Sequence, residues 1–214
     1  MNHTSQEANP HMAIASFPPN RSYTEPDYAP FAVVWTRDDC DRLEELGFLD
    51  YRYELINGVI IRKMPQNKRH AYCVTHAMSW ILGAFDQDYV QTQSSIRVAT
   101  AENKINKPEP DLALLNKPLL DVAGNQPGPE DMRLAIEVAD STRDMDLGTK
   151  AALYARAGVP EYWVVSVEER IVYVHTAPQP DGSYTRVEKR DTEMLAPSFA
   201  PDATVSVSAL LPPA

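Results

Sequence analysis

Apolar residues recur at helical spacing in two stretches of the chain. In residues 68–85 they stand three or four positions apart, which predicts an amphipathic helix built on Val74, Met78, Ile81, Leu82 and Phe85. A second helix is predicted to follow Ser141 or Thr142, either of which can cap it, and to run to Ala157. It ends there because Gly158 follows, with a proline two residues further on.

Short apolar runs predict strands before, between and after these helices. Residues 53–56 and 59–61 flank Asn57-Gly58, the pair most typical of a tight β-hairpin, because both turn positions need positive φ. We expect this hairpin to form an antiparallel entry into the main sheet. Further strands are predicted near residues 89–98, 111–115, 133–138, 162–167, 171–175 and 184–189.

This order of elements predicts an α/β or α+β fold with a mixed sheet flanked by helices. Residues 1–34 are rich in Pro, Ser, Asn and Tyr and follow neither period, so we expect a flexible N-terminal arm ahead of a single domain in residues 35–214. No apolar run approaches the length of a membrane span, and the N-terminus lacks the pattern of a secretory signal. A cytoplasmic location without membrane association is therefore expected.

Composition narrows the functional classes. The formal net charge of −10 means that a nucleic-acid-binding surface would have to concentrate its Lys and Arg residues locally, since these neutralise phosphates. The two cysteines, Cys40 and Cys73, lack the spacing of a zinc site or of a disulfide framework. We expect both to be packing residues or inert thiols.

Two carboxylates interrupt the apolar runs that predict buried strands. Asp111 opens the run Leu112–Leu115, and Glu137 stands inside the run 134–139. A strand covered on both faces reads as nearly continuous apolar sequence, so a carboxylate within it needs a cation or a metal as its partner. Lys150, on the helix that follows, is predicted to lie on or beside the inward face of that helix.

These three residues suit the hydrolysis of phosphodiesters. Two carboxylates a few ångströms apart repel each other unless a divalent cation neutralises them. Oxygen ligands favour Mg²⁺ or Mn²⁺ over zinc, and Mg²⁺ needs only one or two carboxylates. The metal polarises a water and binds the scissile phosphate, while a nearby ammonium stabilises the developing negative charge.

Several motifs resemble those of known nucleases. Pro110-Asp111 and Glu137-x-Ala139 resemble the motif of the PD-(D/E)xK nuclease superfamily, in which a lysine normally stands at the position of Ala139. The chain resembles one member more closely, the Uma-type family of inferred restriction endonucleases. That resemblance rests on residues 136–142, Asp146-x-Gly148-x-Lys150, residues 153–165, Tyr53-Glu54-Leu55-Ile56-Asn57-Gly58, His70 and Gln93-x-Ser95-x-Arg97. It extends from about residue 34 to residue 210.

The resemblance implies a restriction-endonuclease-like core and metal-dependent cleavage of DNA. It implies that Asp111 and Glu137 bind Mg²⁺ or Mn²⁺ and that Glu54 completes the metal shell. Lys150, on the following helix, would replace the lysine that is missing at Ala139. Nucleases of this superfamily often dimerise, so a homodimer is expected by analogy.

Four residues are further candidates for substrate contact, and each has a plainer interpretation. His70 would meet phosphate at a helix N-terminus, or be a solvated residue at the helix start. Gln93 and Ser95 alternate on one face of a predicted strand and would line the cleft. Asp146 precedes Lys150 by four residues, which is also the spacing of an ordinary helix ion pair. Glu54 is open in the same way, as a metal ligand or as an exposed hairpin residue.

Two functions stay open on the sequence. The first is a Mg²⁺-dependent DNA endonuclease that uses Asp111, Glu137 and Lys150. The second is a catalytically silent protein of the same fold that acts as a binding or regulatory module, which the acidic charge and Ala139 favour. The nuclease is preferred because a scaffold has no packing need for all three residues.

Overall fold

The computed structural model describes residues 33–64, 66–191 and 193–213. Nearly all of the predicted N-terminal arm, residues 1–34, lies outside this range. The helices are α1 (Arg37–Glu45), α2 (Lys68–Ala84), a π-helix (Met145–Lys150) that leads directly into α3 (Ala151–Ala157), and α4 (Val207–Leu210). The strands are β1 (Tyr53–Ile56), β2 (Val59–Arg62), β3 (Val90–Thr92), β4 (Leu112–Leu115), β5 (Met132–Ala139), β6 (Glu161–Ser166), β7 (Ile171–Pro178), β8 (Tyr184–Arg190), β9 (Met194–Leu195) and β10 (Val205–Ser206).

Six of these strands form one mixed sheet in the order β3-β4-β5-β6-β7-β8. Every neighbouring pair is antiparallel except β5 and β6, which are parallel because the π-helix and α3 cross over between them. The predicted fold class, a mixed sheet flanked by helices, is confirmed. Among the described helices, none has the length and apolar character needed to cross a membrane.

Side chains along β5 alternate between two cores. Leu134, Ile136 and Val138 pack on the face covered by α2, in a core that also contains Cys73. Ala135 and Ala139 face the opposite way, toward α3. Glu137 shares the parity of the alanines, so its carboxyl points to the α3 side of the sheet. The short alanine side chains leave room there for a polar cluster.

The hairpin formed by β1 and β2 turns as predicted but joins the fold differently. Asn57 and Gly58 have φ of 50° and 75°, the positive values that the tight turn requires. However, β1 and β2 form a separate two-stranded sheet, so the expected entry into the main sheet is wrong. The free edge beside β4 is already taken by β3, and the hairpin instead contacts the segment before β4, through a bridge between Leu55 and Lys107 and a hydrogen bond from the Gly58 N–H to the Ile105 carbonyl at 2.8 Å.

The strand predicted near residues 89–98 is much shorter in the structure. Only Val90–Thr92 is strand, and Gln93 then adopts a positive φ of 46°. The Gln91 side chain donates to the Ser94 carbonyl at 3.0 Å, and the Ser94 hydroxyl donates to the Thr92 carbonyl at 3.1 Å. These local side-chain bonds satisfy backbone groups that a longer strand would have paired.

Candidate active site

Four charged side chains from three elements meet at one point beneath the α3 side of the sheet. Glu54 comes from β1, Glu137 from β5, and Asp146 and Lys150 from the π-helix. All four are at most 4% exposed. The Lys150 Nζ atom lies 2.7 Å from Glu137 Oε1, 2.9 Å from Glu54 Oε1 and 3.8 Å from Asp146 Oδ1. One buried ammonium is thus surrounded by three carboxyl groups.

This imbalance of charge shifts the pKa values of Glu137, Asp146 and Lys150. Burial raises the pKa of Glu137 to about 8, although Lys150 opposes the shift. Burial likewise raises the pKa of Asp146 to about 6 against the same lysine. Burial alone would lower the pKa of Lys150, but the surrounding carboxyls outweigh it and hold that pKa well above its usual value. The ammonium therefore stays charged, and at neutral pH one neighbouring carboxyl retains its proton.

Asp111 lies immediately beside this cluster. The register of β4 and β5 pairs Leu112 with Ile136, so Asp111 stands next to Glu137 one position further along. Its Oδ2 atom accepts the Val138 backbone N–H at 2.9 Å and lies 3.2 Å from His70 Nε2. Burial tends to raise the pKa of Asp111, but His70 and the Val138 N–H outweigh it and lower the pKa. Asp111 therefore ionises more readily than Glu137 and Asp146, whose pKa values are raised.

Asp111 and Glu137 line a cleft of about 450 Å³. The hairpin supplies one wall, where basic side chains gather, namely Arg52, Arg62 and Lys63. The Arg62 guanidinium lies 4.5 Å from the centre of the Tyr51 ring. The start of α2 and the segment before the π-helix supply polar groups to the remaining walls, namely Gln66, Asn67, Ser141 and Thr142. The cleft thus combines acids at its base with cations on one rim.

For two acids the structure excludes the plainer interpretation that the sequence left open, while their roles at a metal or substrate stay predictions. Glu54 is 2% exposed rather than on the outer face of the hairpin, and its Oε1 atom accepts the Glu109 backbone N–H at 2.7 Å as well as Lys150. Asp146 is equally buried and accepts a hydrogen bond from the Thr142 hydroxyl. The pair Asp146 and Lys150 is therefore part of a buried cluster and not a surface ion pair.

Two of the other candidates for substrate contact, Gln93 and Ser95, are not among the described residues that line the cleft. Gln93 and Ser95 do not share a strand face, because β3 ends at Thr92. The Gln93 side chain accepts a hydrogen bond from Arg52, and the Ser95 hydroxyl accepts one from the Gln126 amide at 2.7 Å. Their assignment to substrate binding stays a prediction.

His70 stands at the cleft itself. It lies in the first turn of α2, where its backbone N–H donates to the Asn67 side chain at 3.1 Å. Its ring contacts Asp111, and its Nδ1 atom is buried without a hydrogen-bond partner among the described residues. His70 is thus neither a solvated helix-start residue nor separate from the acids. Its contact with phosphate stays a prediction.

Sequence reasoning missed several donors that hold the acids in place. The Tyr154 hydroxyl donates to Glu137 Oε1 at 3.1 Å, and burial raises its pKa well above the usual value, so the group keeps its proton. The sequence marks Thr142 only as a helix cap, although its hydroxyl donates to Asp146. The sequence carries no signal for the Val138 backbone N–H, which donates to Asp111. The spacing of four residues from Lys150 to Tyr154 was the available signal, because it places both on one helix face.

The donor set suits a hard divalent cation. Asp111 and Glu137 each accept hydrogen bonds on a single oxygen, and no described residue donates to Asp111 Oδ1 or Glu137 Oε2. Within residues 33–64, 66–191 and 193–213, no group of three or more His, Cys, Asp or Glu side chains is close enough to hold a metal ion. Two carboxylates with waters are sufficient for Mg²⁺, however, so the residues fit such a site.

Comparisons with known proteins bear on the fold and the family of the chain. None of the curated proteins matches the chain. A solved structure described as a putative nuclease belonging to DUF820, from Anabaena variabilis, superposes with a TM-score of 0.56 at 19% identity, covering 78% of this chain and 96% of that one. That similarity supports the nuclease fold. Residues 37–208 match the family Uma2, described as "Putative restriction endonuclease", and because the match spans most of the chain, the protein belongs to this family.

Proposed function

We propose that the protein is a Mg²⁺- or Mn²⁺-dependent endodeoxyribonuclease that hydrolyses phosphodiester bonds. The observation that carries this proposal is the meeting of Asp111, Glu137, Glu54 and Lys150 at the base of a cleft whose rim is basic. Burying three acids around one lysine is costly for a scaffold, and a neutral core would avoid that cost. A site that binds a divalent cation and a phosphate explains why these charged groups are buried together.

Each residue has a distinct role in the proposed reaction. Asp111 and Glu137 would hold the cation through Asp111 Oδ1 and Glu137 Oε2, to which no described residue donates, and Glu54 contacts Lys150 beside them. A divalent cation held there supplies a positive charge that polarises the scissile phosphate and lowers the pKa of a water. Lys150 keeps the carboxyl of Glu137 in place and adds positive charge beside the site.

DNA is the proposed substrate because of the family and because of the cleft's rim. Arg62 and Lys63 stand on one wall, where side chains of this kind bind backbone phosphates. The overall charge of −10 opposes nucleic acid, so binding depends on this local concentration and weakens with salt. A homodimer would bring two such clefts to the two strands of a duplex, and a cytoplasmic location belongs to the same proposal.

Plasmid nicking tests the proposal directly. Supercoiled plasmid is incubated with the full-length protein in Mg²⁺, in Mn²⁺ and in EDTA, and the relaxed form is quantified. Wild type should nick with either metal and not in EDTA, whereas Asp111→Asn and Glu137→Gln should each lose at least about a hundredfold in rate. Asp131→Asn is the matched control, because Asp131 is as deeply buried but accepts its bonds from Lys117 and Gly128 instead.

The outcomes separate the two functions that the sequence left open. Nicking that disappears in both site variants and persists in Asp131→Asn supports the nuclease. Calorimetric binding of Mn²⁺ without nicking of supercoiled, linear or single-stranded DNA would favour a binding or regulatory module. Nicking that survives in Glu137→Gln would point to a contaminating nuclease and would remove the support for this site.

A further inference from the structure

Asp111 and Glu137 each accept hydrogen bonds through one carboxylate oxygen. In Asp111 the held atom is Oδ2, which accepts the Val138 N–H and faces His70. In Glu137 it is Oε1, which accepts both Lys150 Nζ at 2.7 Å and the Tyr154 hydroxyl at 3.1 Å. Two donors on one oxygen restrict the rotation of a carboxylate, because turning the group away from them breaks both hydrogen bonds.

Tyr154 arrives at this oxygen from α3, one helical turn after Lys150. Its side chain is fully buried, and its ring lies edge-on to Tyr162 with the ring centres 5.0 Å apart. A phenylalanine would fill the same space and keep the same ring contact. Among the described residues the hydroxyl bonds only to Glu137, and burying a hydroxyl is unfavourable unless it has such a partner.

We propose that Tyr154 is a positioning residue, whose hydroxyl and the Lys150 ammonium together fix Glu137 through Oε1 and leave Oε2 for a cation in the cleft. This inference rests on the proposed function, because it assigns Tyr154 a part in preparing the metal site. Lys150 by itself would hold the Glu137 carboxyl through a long, flexible side chain, and its ammonium also contacts Glu54 and Asp146. Tyr154 supplies the second, rigid point of attachment.

The test compares two tyrosines that differ in what their hydroxyl groups contact. Tyr154→Phe removes the bond to Glu137, which still keeps Lys150, so the variant leaves no buried group without a partner. Tyr184→Phe removes another buried hydroxyl, which donates to the Val159 carbonyl at 3.0 Å. Both variants are expected to show a similar drop in thermal unfolding midpoint. The two therefore match in the loss of a buried hydroxyl.

Mn²⁺ binding, measured by calorimetry on the full chain without DNA, is the main readout. Tyr154→Phe should bind Mn²⁺ roughly tenfold more weakly than wild type, as expected for the loss of a group that orients a metal ligand. Tyr184→Phe should bind Mn²⁺ as wild type does. In the nicking assay, the Mn²⁺ concentration for half-maximal rate should rise in Tyr154→Phe by a similar factor.

The failure of this inference and the failure of the proposed function are distinguishable. Equal Mn²⁺ affinity in Tyr154→Phe and wild type would overturn the role of Tyr154 and leave the nuclease proposal standing. An equal loss of affinity in both tyrosine variants would also overturn it, because the effect would then follow stability alone. Mn²⁺ binding without nicking in wild type would overturn only the function, and no Mn²⁺ binding in wild type would overturn both.

Discussion

The buried acid Glu137 should make the metal-free protein less stable as pH rises, and Glu137→Gln should remove much of that dependence. An acid with a higher pKa in the folded chain binds its proton more tightly when folded, so it contributes stability below its unfolded pKa of about 4.5 and loses it as pH rises through the folded value of about 8. Glutamine keeps the shape and an acceptor for Lys150 but carries no charge.

The magnitude follows from the position of the pKa. Between pH 6.5 and pH 8.5 the folded protein gives up its proton, and the span of about 1.5 units below the folded pKa amounts to roughly 2 kcal/mol of unfolding free energy. Asp146 and His175 titrate mainly below this window, because the pKa of Asp146 is about 6 and that of His175 is lowered from 6.5. The raised pKa of Cys73, about 11, also lies outside it.

Urea unfolding in EDTA measures this effect, with tryptophan fluorescence as the signal, since Trp163 is fully buried and stacks on Trp80. Wild type should lose about 2 kcal/mol across the window and Glu137→Gln much less. Glu130→Gln, which removes an exposed acid, should behave as wild type does. A wild-type protein whose stability is as flat as that of Glu137→Gln would refute the reasoning, because Glu137 would then be ionised throughout.

Three further predictions concern the same cluster and the core. Lys150→Met should cost about 3–5 kcal/mol at pH 8 in urea unfolding, because it leaves the buried carboxyls without their cation, and a smaller cost than in a surface lysine variant would contradict the ion-pair assignment. Mn²⁺ binding should release a proton from Glu137 below pH 8, seen by calorimetry in buffers of different ionisation enthalpy, whereas buffer-independent heats would exclude this. Burial lowers the pKa of His175, so this histidine reduces the stability that the acids gain as pH falls below 6.5. Urea unfolding of His175→Asn should therefore show a larger gain in stability over that range than wild type, and an equal gain would contradict the assignment.

Local sequence determined the elements whose signals lie within a few residues. The turn at Asn57-Gly58 formed as predicted because a tight turn of this kind depends only on the φ preferences of its own residues. The end of α3 followed from Gly158, which adopts a φ of 82°. The two acids in apolar runs, Asp111 and Glu137, marked the candidate site without any structure, since buried charges need partners.

Tertiary structure decided where these elements meet. The sequence predicted a strand through Gln93 and Ser95, but side-chain bonds around Ser94 end it early, and such competition depends on which partners happen to be in reach. The hairpin lies apart from the main sheet because β3 already occupies the edge beside β4, which local patterns cannot reveal.

The charged cluster likewise depends partly on the sequence and partly on the tertiary structure. The sequence showed which residues carry charge and that no lysine stands at the position of Ala139. The contact of Glu54 with Lys150 depends on how β1 packs against β5. The donation of Lys150 and Tyr154 to the same oxygen of Glu137 depends on how the π-helix and α3 pack against β5. Contacts between distant segments depend on how whole elements pack, whereas turns and helix ends depend on the backbone preferences of neighbouring residues.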